Sequence, residues 1–165
     1  MRSLLSPSAL VIVLLSAVQS LSATDLHRLW EERCGGCHGD SAEFVRHGLQ
    51  LIDGELRGKR PGTDLRAFML RHRGGLPEPY VGPVYDMLLA QATTPARFRD
   101  QCGICHHRAV ELVRDALVVR NGELVGRYSG RLTRDFLRGH GRLDEEGVAF
   151  FAKLLARVER EVHHP

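Results

Sequence analysis

Apolar residues recur every three or four positions in six segments of the chain, as they do along the buried face of an amphipathic helix. In the longest of these segments, Val148, Phe151, Leu155 and Val158 share one face. The pattern predicts helices at 25–33, 63–72, 84–91, 96–101, 131–140 and 145–158.

Residues at the ends of these segments indicate where the helices begin. Thr24 and Asp144 are the expected caps of the first and last helices, because a side-chain oxygen there accepts a hydrogen bond from the first turn. Thr94 and Pro95 are expected to begin the helix that follows them, and Pro83 the helix that follows it. The Pro-rich stretch just before Pro83 is expected to be a loop.

Two other segments, 49–58 and 117–126, carry strand-like sequence on either side of a turn-forming pair. The pair is Asp-Gly in the first segment and Asn-Gly in the second. Both pairs favour a two-residue hairpin turn, because their residues adopt a positive φ at little cost. Each segment is therefore expected to form a short β-hairpin within a chain that is mainly α.

The chain contains an internal duplication with a period of 68 residues. When 34–72 is laid on 102–140, sixteen of the thirty-nine positions are identical, and beyond them the register slips by two. The repeat predicts two modules, 24–92 and 93–162, followed by a short tail at 163–165.

The composition is that of a globular protein preceded by an export signal, with a mean hydropathy of -0.19 and 43% hydrophobic residues. Residues 1–23 contain Arg2, an apolar stretch at 9–18 and small residues up to Ala23, which is typical of a cleaved signal peptide. The apolar stretch is too short to span a bilayer comfortably, although an uncleaved anchor is the alternative. Lysine and arginine form no run with interleaved aromatic residues, so nucleic acid is not an expected partner.

All four cysteines lie in two motifs of the form Cys-x-x-Cys-His, CGGCHGD at 34–40 and CGICHHR at 102–108. Cysteines three positions apart share one face of a helical turn. Both sulfurs can therefore form thioethers to the two vinyl groups of one haem, while the next histidine turns its ring toward the iron. This spacing is the signature of covalent c-type haem attachment. A module of this size has a marginal core, which a buried macrocycle would stabilise.

Three other interpretations of the cysteines are weaker. A zinc site would gather the four thiolates, yet the pairs lie in separate repeats and each carries an additional histidine. A thioredoxin-like redox pair would need a βαβ context that the pattern lacks. Structural disulfides would leave the histidines unexplained.

With these motifs, the chain resembles the class I cytochrome c family in its tandem, dihaem form. An aromatic residue, Trp30 or Phe98, precedes each motif by four positions, and a later helix closes each module. The resemblance covers essentially the whole mature chain. It implies two tandem small cytochrome c-like helical domains, each packed around a covalent haem c. It also implies thioether attachment at Cys34, Cys37, Cys102 and Cys105, and proximal iron ligands at His38 and His106.

The distal ligands depart from the pattern of that family, which usually supplies methionine. No methionine follows Met87, so the second module has none to offer. His72 and His140 each stand thirty-four residues beyond the histidine of their own motif, at the end of an expected helix. They are the expected distal ligands, with Met69 as the alternative at the first haem.

Histidine on both sides of each iron predicts a low-potential electron carrier, because methionine ligation raises the potential. We expect a periplasmic cytochrome that exchanges single electrons with redox proteins and has no membrane span after signal cleavage. The rival expectation is a haem enzyme or gas sensor with one iron open to peroxide, nitric oxide or carbon monoxide. A third is an electron-transfer subunit of a larger oxidoreductase.

The remaining histidines and four repeated arginines complete the candidate residues. The histidines without a repeated partner are expected at the surface: His27, His47, His107, His163 and His164. The repeated arginines are expected either to pair with haem propionates or to lie on solvated helix faces: Arg46, Arg66, Arg114 and Arg134.

Overall fold

The computed structural model describes residues 23–59 and 64–164. The expected signal peptide lies almost entirely outside the described residues. The chain is mainly helical and has two small antiparallel hairpins, which confirms the expected fold class at that level. The helices are α1 (Leu26–Trp30), α2 (Gly36–His38), α3 (Ser41–Gly48), α4 (Leu65–Arg71), α5 (Glu78–Thr93), α6 (Arg97–Cys102), α7 (Ala109–Ala116), α8 (Thr133–Arg138) and α9 (Glu145–Val162). The strands are β1 (Leu49–Ile52), β2 (Glu55–Gly58), β3 (Leu117–Arg120) and β4 (Glu123–Gly126).

Both expected hairpins form, with β1 paired to β2 and β3 paired to β4. The turn residues have positive φ angles: 51° at Asp53 and 79° at Gly54, then 52° at Asn121 and 79° at Gly122. Two consecutive positive φ angles are what a type I′ turn requires, and its twist matches that of the flanking strands. The Asp-Gly and Asn-Gly pairs therefore specify the hairpins locally.

The first helix is capped by Asp25 and not by Thr24. The Asp25 side chain accepts a hydrogen bond from the N–H of Arg28, while Thr24 lies one residue too early to do so. The backbone N–H of Thr24 instead donates to the carbonyl oxygen of His164 at 2.6 Å. The two ends of the described chain are therefore paired.

The expected starts of α5 and α6 are also wrong. Helix α5 begins at Glu78, so that Pro83 lies inside the helix and the expected loop is partly helical. Burial of apolar side chains such as Leu88, which is fully buried, offsets the backbone hydrogen bond that Pro83 cannot make. Thr94 ends α5, where its hydroxyl donates to the carbonyl oxygen of Ala90, and α6 has no side-chain cap.

Two clusters of buried apolar side chains lie along the chain, one built from residues before 93 and one from residues after it. Trp30 and Leu88 belong to the first cluster, and Val113 and Phe151 to the second. Helix α9 supplies much of the second cluster, and Asp144 caps it as expected by accepting from the N–H of Gly147. Within the described ranges, none of the helices combines the length and the apolarity needed to cross a bilayer.

Candidate haem sites

The two Cys-x-x-Cys-His motifs lie on helical turns that directly follow a buried aromatic residue. In the first half, α1 continues through a π-helical turn at Glu31–Gly35 into α2, which ends at His38. In the second half, Cys102 ends α6, and its carbonyl oxygen accepts from the N–H groups of Cys105 and His106 at 3.1 and 2.9 Å. Each motif thus holds its histidine one turn beyond its first cysteine.

The expected distal histidines both lie just beyond a short helix rather than inside it. His72 is the residue that ends α4, where its N–H donates to the carbonyl oxygen of Phe68. His140 follows α8 by two residues, and its N–H donates to the carbonyl oxygen of Leu137 at 3.1 Å. Both side chains are exposed, so their rings are available to a ligand.

Each distal histidine faces the histidine of its own motif. The ring centres of His38 and His72 are 6.0 Å apart, and those of His106 and His140 are also 6.0 Å apart. An imidazole nitrogen lies about 2.0–2.1 Å from a bound metal ion and roughly 1.1 Å from its own ring centre, so rings on opposite sides of one ion have centres roughly 6.3 Å apart. Both pairs therefore have the spacing of two axial ligands on one metal ion.

A phenylalanine one helical turn earlier supports each distal histidine. Phe68 stacks on His72 with ring centres 4.4 Å apart and planes at 23°, and Phe136 stacks on His140 at 4.6 Å and 29°. Residues four apart lie on the same side of a helix end, which brings these rings together. The repeated phenylalanine therefore fixes the orientation of the distal ring in both halves.

The histidine of the first motif is surrounded by aromatic side chains. Its ring centre lies 4.6 Å from that of Phe44 and 6.2 Å from that of Trp30. The indole N–H of Trp30 donates to the carbonyl oxygen of Gly39 at 2.9 Å, which ties the buried tryptophan to the residue after His38. This bond holds the end of the motif in place.

All four candidate residues of the second half line one cavity of about 850 Å³. That volume lies within the range of about 300–1,000 Å³ that is usual for cofactor pockets. The walls are mainly apolar and include Phe136, which is 43% exposed, and Tyr128, which is 88% exposed. Exposed aromatic rings around an open cavity are suited to packing against a flat apolar cofactor. The candidate residues that line the cavity are Cys102, Cys105, His106 and His140.

One buried polar atom in this cavity has no partner among the described residues. Thr133 is 6% exposed and lines the cavity, and its hydroxyl makes no hydrogen bond there. An unpaired buried hydroxyl is costly, so a polar atom of an occupant would satisfy it. Arg131 and Arg142 also line the cavity and are suited to bind carboxylates. The hydroxyl of Thr133 and the guanidinium groups of the two arginines thus fit a largely apolar cofactor that bears anionic groups.

The cysteines are free thiols, with Cys37 and Cys105 exposed. Burial raises the pKa of the Cys34 thiol, against a smaller opposing effect of Arg33, and burial also raises the pKa of the Cys102 thiol. Redox-active pairs usually have a lowered pKa instead, so the shift disfavours a thioredoxin-like role. Within 23–59 and 64–164, no three His, Cys, Asp or Glu side chains are grouped so that they could hold a metal ion. Two protein ligands are enough for a haem iron, and each histidine pair could supply them.

His27 lies in the interior and not at the surface as expected. It is 7% exposed, and its Nε2 atom lies 2.9 Å from Oε2 of Glu161, which is also buried. The two residues are 134 positions apart, so no local pattern indicates the contact. The sequence offered one signal of this burial, which is that His27 lies on the same helical face as Leu26 and Trp30.

The repeated arginines have different neighbours. Arg114 binds Asp25 and Glu31 across the two halves, at 2.8 and 3.2 Å. The Arg66 guanidinium lies 3.4 Å from the ring centre of Tyr85. The cavity of the second half is lined instead by Arg131 and Arg142, which do not belong to the repeated set.

Met69, the alternative distal ligand of the first haem, packs against the first hydrophobic cluster, in keeping with a core position.

The chain matches no protein-family model, no curated protein and no solved structure. What the two sites can bind therefore follows from their own residues. Each offers two thiols on one helical turn and two imidazoles at axial spacing. In the second half, these groups open into an apolar cavity with anion-binding side chains at its wall.

Proposed function

We propose that this protein is a periplasmic dihaem c-type cytochrome that carries single electrons between redox proteins. The repeated ring spacing carries the proposal, because the two histidine pairs have the same 6.0 Å separation although their surroundings differ. The residues that would hold the cofactors are Cys34, Cys37, His38 and His72 for the first haem, and Cys102, Cys105, His106 and His140 for the second.

The cysteine, histidine and phenylalanine side chains would have separate roles in holding each cofactor. The cysteine sulfurs would attach the macrocycle to the chain through thioethers, and the histidine of the motif would be one ligand of the iron. The distal histidine, whose ring stacks on Phe68 or Phe136, would be the other. Haem supplies an iron that accepts and releases one electron.

Two histidines on each iron favour electron transfer over catalysis. If both histidines of a pair bound the iron, they would leave no site for a substrate on the metal. Neutral imidazole in place of a methionine thioether also lowers the reduction potential. A carrier of this kind needs a donor and an acceptor protein that dock near the sites.

The two-domain arrangement belongs to the same proposal. Each half has its own motif, hairpin, short helix with a distal histidine, and closing helix. Each half also has its own buried apolar cluster. One haem per half is the number that this repetition supports, with domains at 24–92 and 93–162.

A haem assay with spectroscopy of the purified chain tests the proposal. We expect a pyridine haemochrome spectrum of thioether-linked haem at two per chain, a near-infrared band of bis-histidine iron, and no change when carbon monoxide is added to the reduced protein. Bound zinc, or protein without tetrapyrrole, would contradict the proposal. Binding of carbon monoxide would favour the gas sensor or haem enzyme instead.

A further inference from the structure

A second cavity, of about 530 Å³, lies between the two halves of the molecule. The first half supplies residues of α3 together with Gln91 of α5, and the second half supplies residues of α6, α7 and α9. None of the candidate haem-binding cysteines and histidines, all of which the structure describes, lines it. Its volume lies within the range of about 300–1,000 Å³ that is usual for small-molecule sites. The cavity between the halves is therefore large enough for a ligand of its own.

Apolar side chains of the second half form much of its wall. Phe98 of α6, Val110 of α7 and Val158 of α9 line the cavity and are buried in the protein. Ile104 also lines it and is 95% exposed, so that apolar surface there is open to water. Phe98 and Ile104 line the cavity of the second half as well, so the two cavities are neighbours. This wall favours an apolar occupant, because contact with one removes the exposed apolar surface from water.

The charged side chains of the wall are already paired among the described residues. Nη1 of Arg108 lies 3.4 Å from Oδ2 of Asp40, and Nη1 of Arg157 lies 3.3 Å from Oε1 of Glu161. The other carboxylate oxygen of Glu161 lies 2.9 Å from Nε2 of His27. The remaining ionisable side chains also lie beside a group that can carry the opposite charge: Glu43, Arg46, Arg99 and His107. An ionic occupant would compete with these pairs, so the wall favours an uncharged one.

Gln91 leaves one polar atom unsatisfied at this wall. Its Nε2 atom donates to Oγ of Ser41 at 3.0 Å, and its Oε1 atom is buried with no hydrogen-bond partner among the described residues. A half turn of the amide would pair Oε1 with the Ser41 hydroxyl and leave Nε2 unpaired instead. Either orientation leaves one buried polar atom without a partner, which is costly. A hydroxyl group both donates and accepts, so an occupant that carries one can satisfy whichever end is free.

We propose that the cavity between the halves binds an uncharged, mainly apolar molecule that carries a hydroxyl group. The hydroxyl pairs with the free end of the Gln91 amide, and the apolar body packs on Phe98, Val110 and Val158. This site is separate from both proposed haem sites, and the proposal does not rest on the presence of haem. Because the ligand contacts both halves, it stabilises the folded arrangement of both.

Equilibrium dialysis of the purified protein against 2-naphthol tests the proposal, because this probe is uncharged at neutral pH and joins a hydroxyl to an apolar body. Naphthalene has the same body without the hydroxyl, and naphthalene-2-sulfonate carries a negative charge in its place. We expect 2-naphthol to bind roughly tenfold more tightly than naphthalene, and the sulfonate to bind more weakly than either. The proposal is overturned by equal affinities for 2-naphthol and naphthalene, by preference for the sulfonate, or by no saturable binding of 2-naphthol.

Gln91→Leu tests the role of the amide. We expect this variant to bind 2-naphthol and naphthalene with equal affinity, because leucine offers no polar atom to the hydroxyl. Gln50→Leu is the matched control, since the Gln50 amide donates to the carbonyl oxygen of Gly58 and lies outside the cavity. The control should keep the preference for 2-naphthol. A preference that survives in Gln91→Leu would overturn the pairing with Gln91, and Gln91→Met makes the same test if Gln91→Leu does not fold.

Ala42→Trp tests where the probe binds. Ala42 lies on α3 and lines the cavity between the halves but not the cavity of the second half. A tryptophan there should fill part of the space and weaken binding of 2-naphthol by roughly tenfold or more. Ala67→Trp places the same side chain on α4, outside the cavity, and should bind the probe as the natural protein does. Unchanged binding in Ala42→Trp would overturn the proposal, and Ala96→Trp repeats the test from the second half if Ala42→Trp does not fold.

Discussion

The two candidate sites share one ligand geometry but have different surroundings. In the first, Phe44 and Trp30 lie around His38. In the second, their equivalents are Leu112 and Phe98, so the aromatic contacts of His106 are replaced by the wall of a cavity. The separation of the paired histidine rings is nevertheless 6.0 Å in both.

The comparison separates the elements that bring the paired histidine rings to this separation from the residues that surround the rings. The shared parts are the motif, the hairpin, the short helix with its phenylalanine, and the closing helix, and both halves bring the two rings to the same separation with these elements. Among the described residues, the differing parts decide which side chains surround each histidine pair. Thr133 lines the second site, where the equivalent residue of the first half is Leu65.

Loss of a cysteine pair should have the largest effect. We expect Cys34→Ala with Cys37→Ala, and Cys102→Ala with Cys105→Ala, each to lower covalent haem content by about half. Loss of each pair should also cost stability, by the ~2–5 kcal/mol that loss of a disulfide typically costs a small domain, because the half concerned loses its attached cofactor. Haem content and chemical denaturation measure the two effects. Full haem content in either variant would argue against thioether attachment.

Removal of one distal histidine should have the next largest effect, on ligand binding. His140→Ala leaves one axial position of the second iron to solvent, so the reduced protein should bind about one carbon monoxide per chain. His72→Ala should do the same at the first iron. The control is His107→Ala, since that side chain is 85% exposed and adjoins His106 without facing His140. Carbon monoxide binding by the control, or its absence in both variants, would contradict the ligand assignment.

Local sequence signals predicted part of this arrangement well. The two hairpins and α9 follow from turn pairs and a cap that act within a few residues. The starts of α1, α5 and α6 were wrong, because Asp25 competes with Thr24 for the cap and because core burial carries α5 through Pro83. Local propensities are weak compared with tertiary packing.

Contacts between distant residues could not be predicted from local pattern. His27 with Glu161, and Arg114 with Asp25, join residues far apart in the chain. The duplication did predict that His72 and His140 occupy equivalent positions, because the same sequence repeats the same local path. Pairing between the halves depends instead on residues that differ between the repeats, such as Asp40 and Arg108.

Substitution at Thr133 should sharpen the difference between the two sites. Its hydroxyl is buried and unpaired among the described residues, and we expect it to donate to a polar atom of the cofactor. Thr133→Val should then cost about 1 kcal/mol in the haem-bound protein and shift the potential of the second haem alone. Thr93→Val is the control, since that hydroxyl donates to the carbonyl oxygen of Leu89. A more stable Thr133→Val protein with unchanged potentials would mean that the hydroxyl has no partner.

The smallest expected effect is on stability at acid pH. Asp25 contributes to this stability in the first half, whereas the equivalent residue of the second half, Thr93, has no carboxyl group. Burial opposes ionisation of Asp25, but hydrogen bonds from Arg114 and from the N–H of Arg28 outweigh it and hold the pKa of the carboxyl below its ordinary 3.8. Because the folded pKa is the lower one, the stabilisation is present above about pH 4 and is lost as pH falls through the folded value.

Asp25→Asn keeps an oxygen for the helix cap and removes the charge. We expect it to cost no more than about 1 kcal/mol at neutral pH, and the difference from the natural protein should shrink below about pH 4. Thermal unfolding between neutral pH and pH 3 measures this difference. In an Arg114→Ala background the pH dependence should be much weaker, because the guanidinium that favours the carboxylate is gone. If the cost of Asp25→Asn is the same at both pH values, Arg114 does not stabilise the ionised carboxyl, and the contact contributes only by packing.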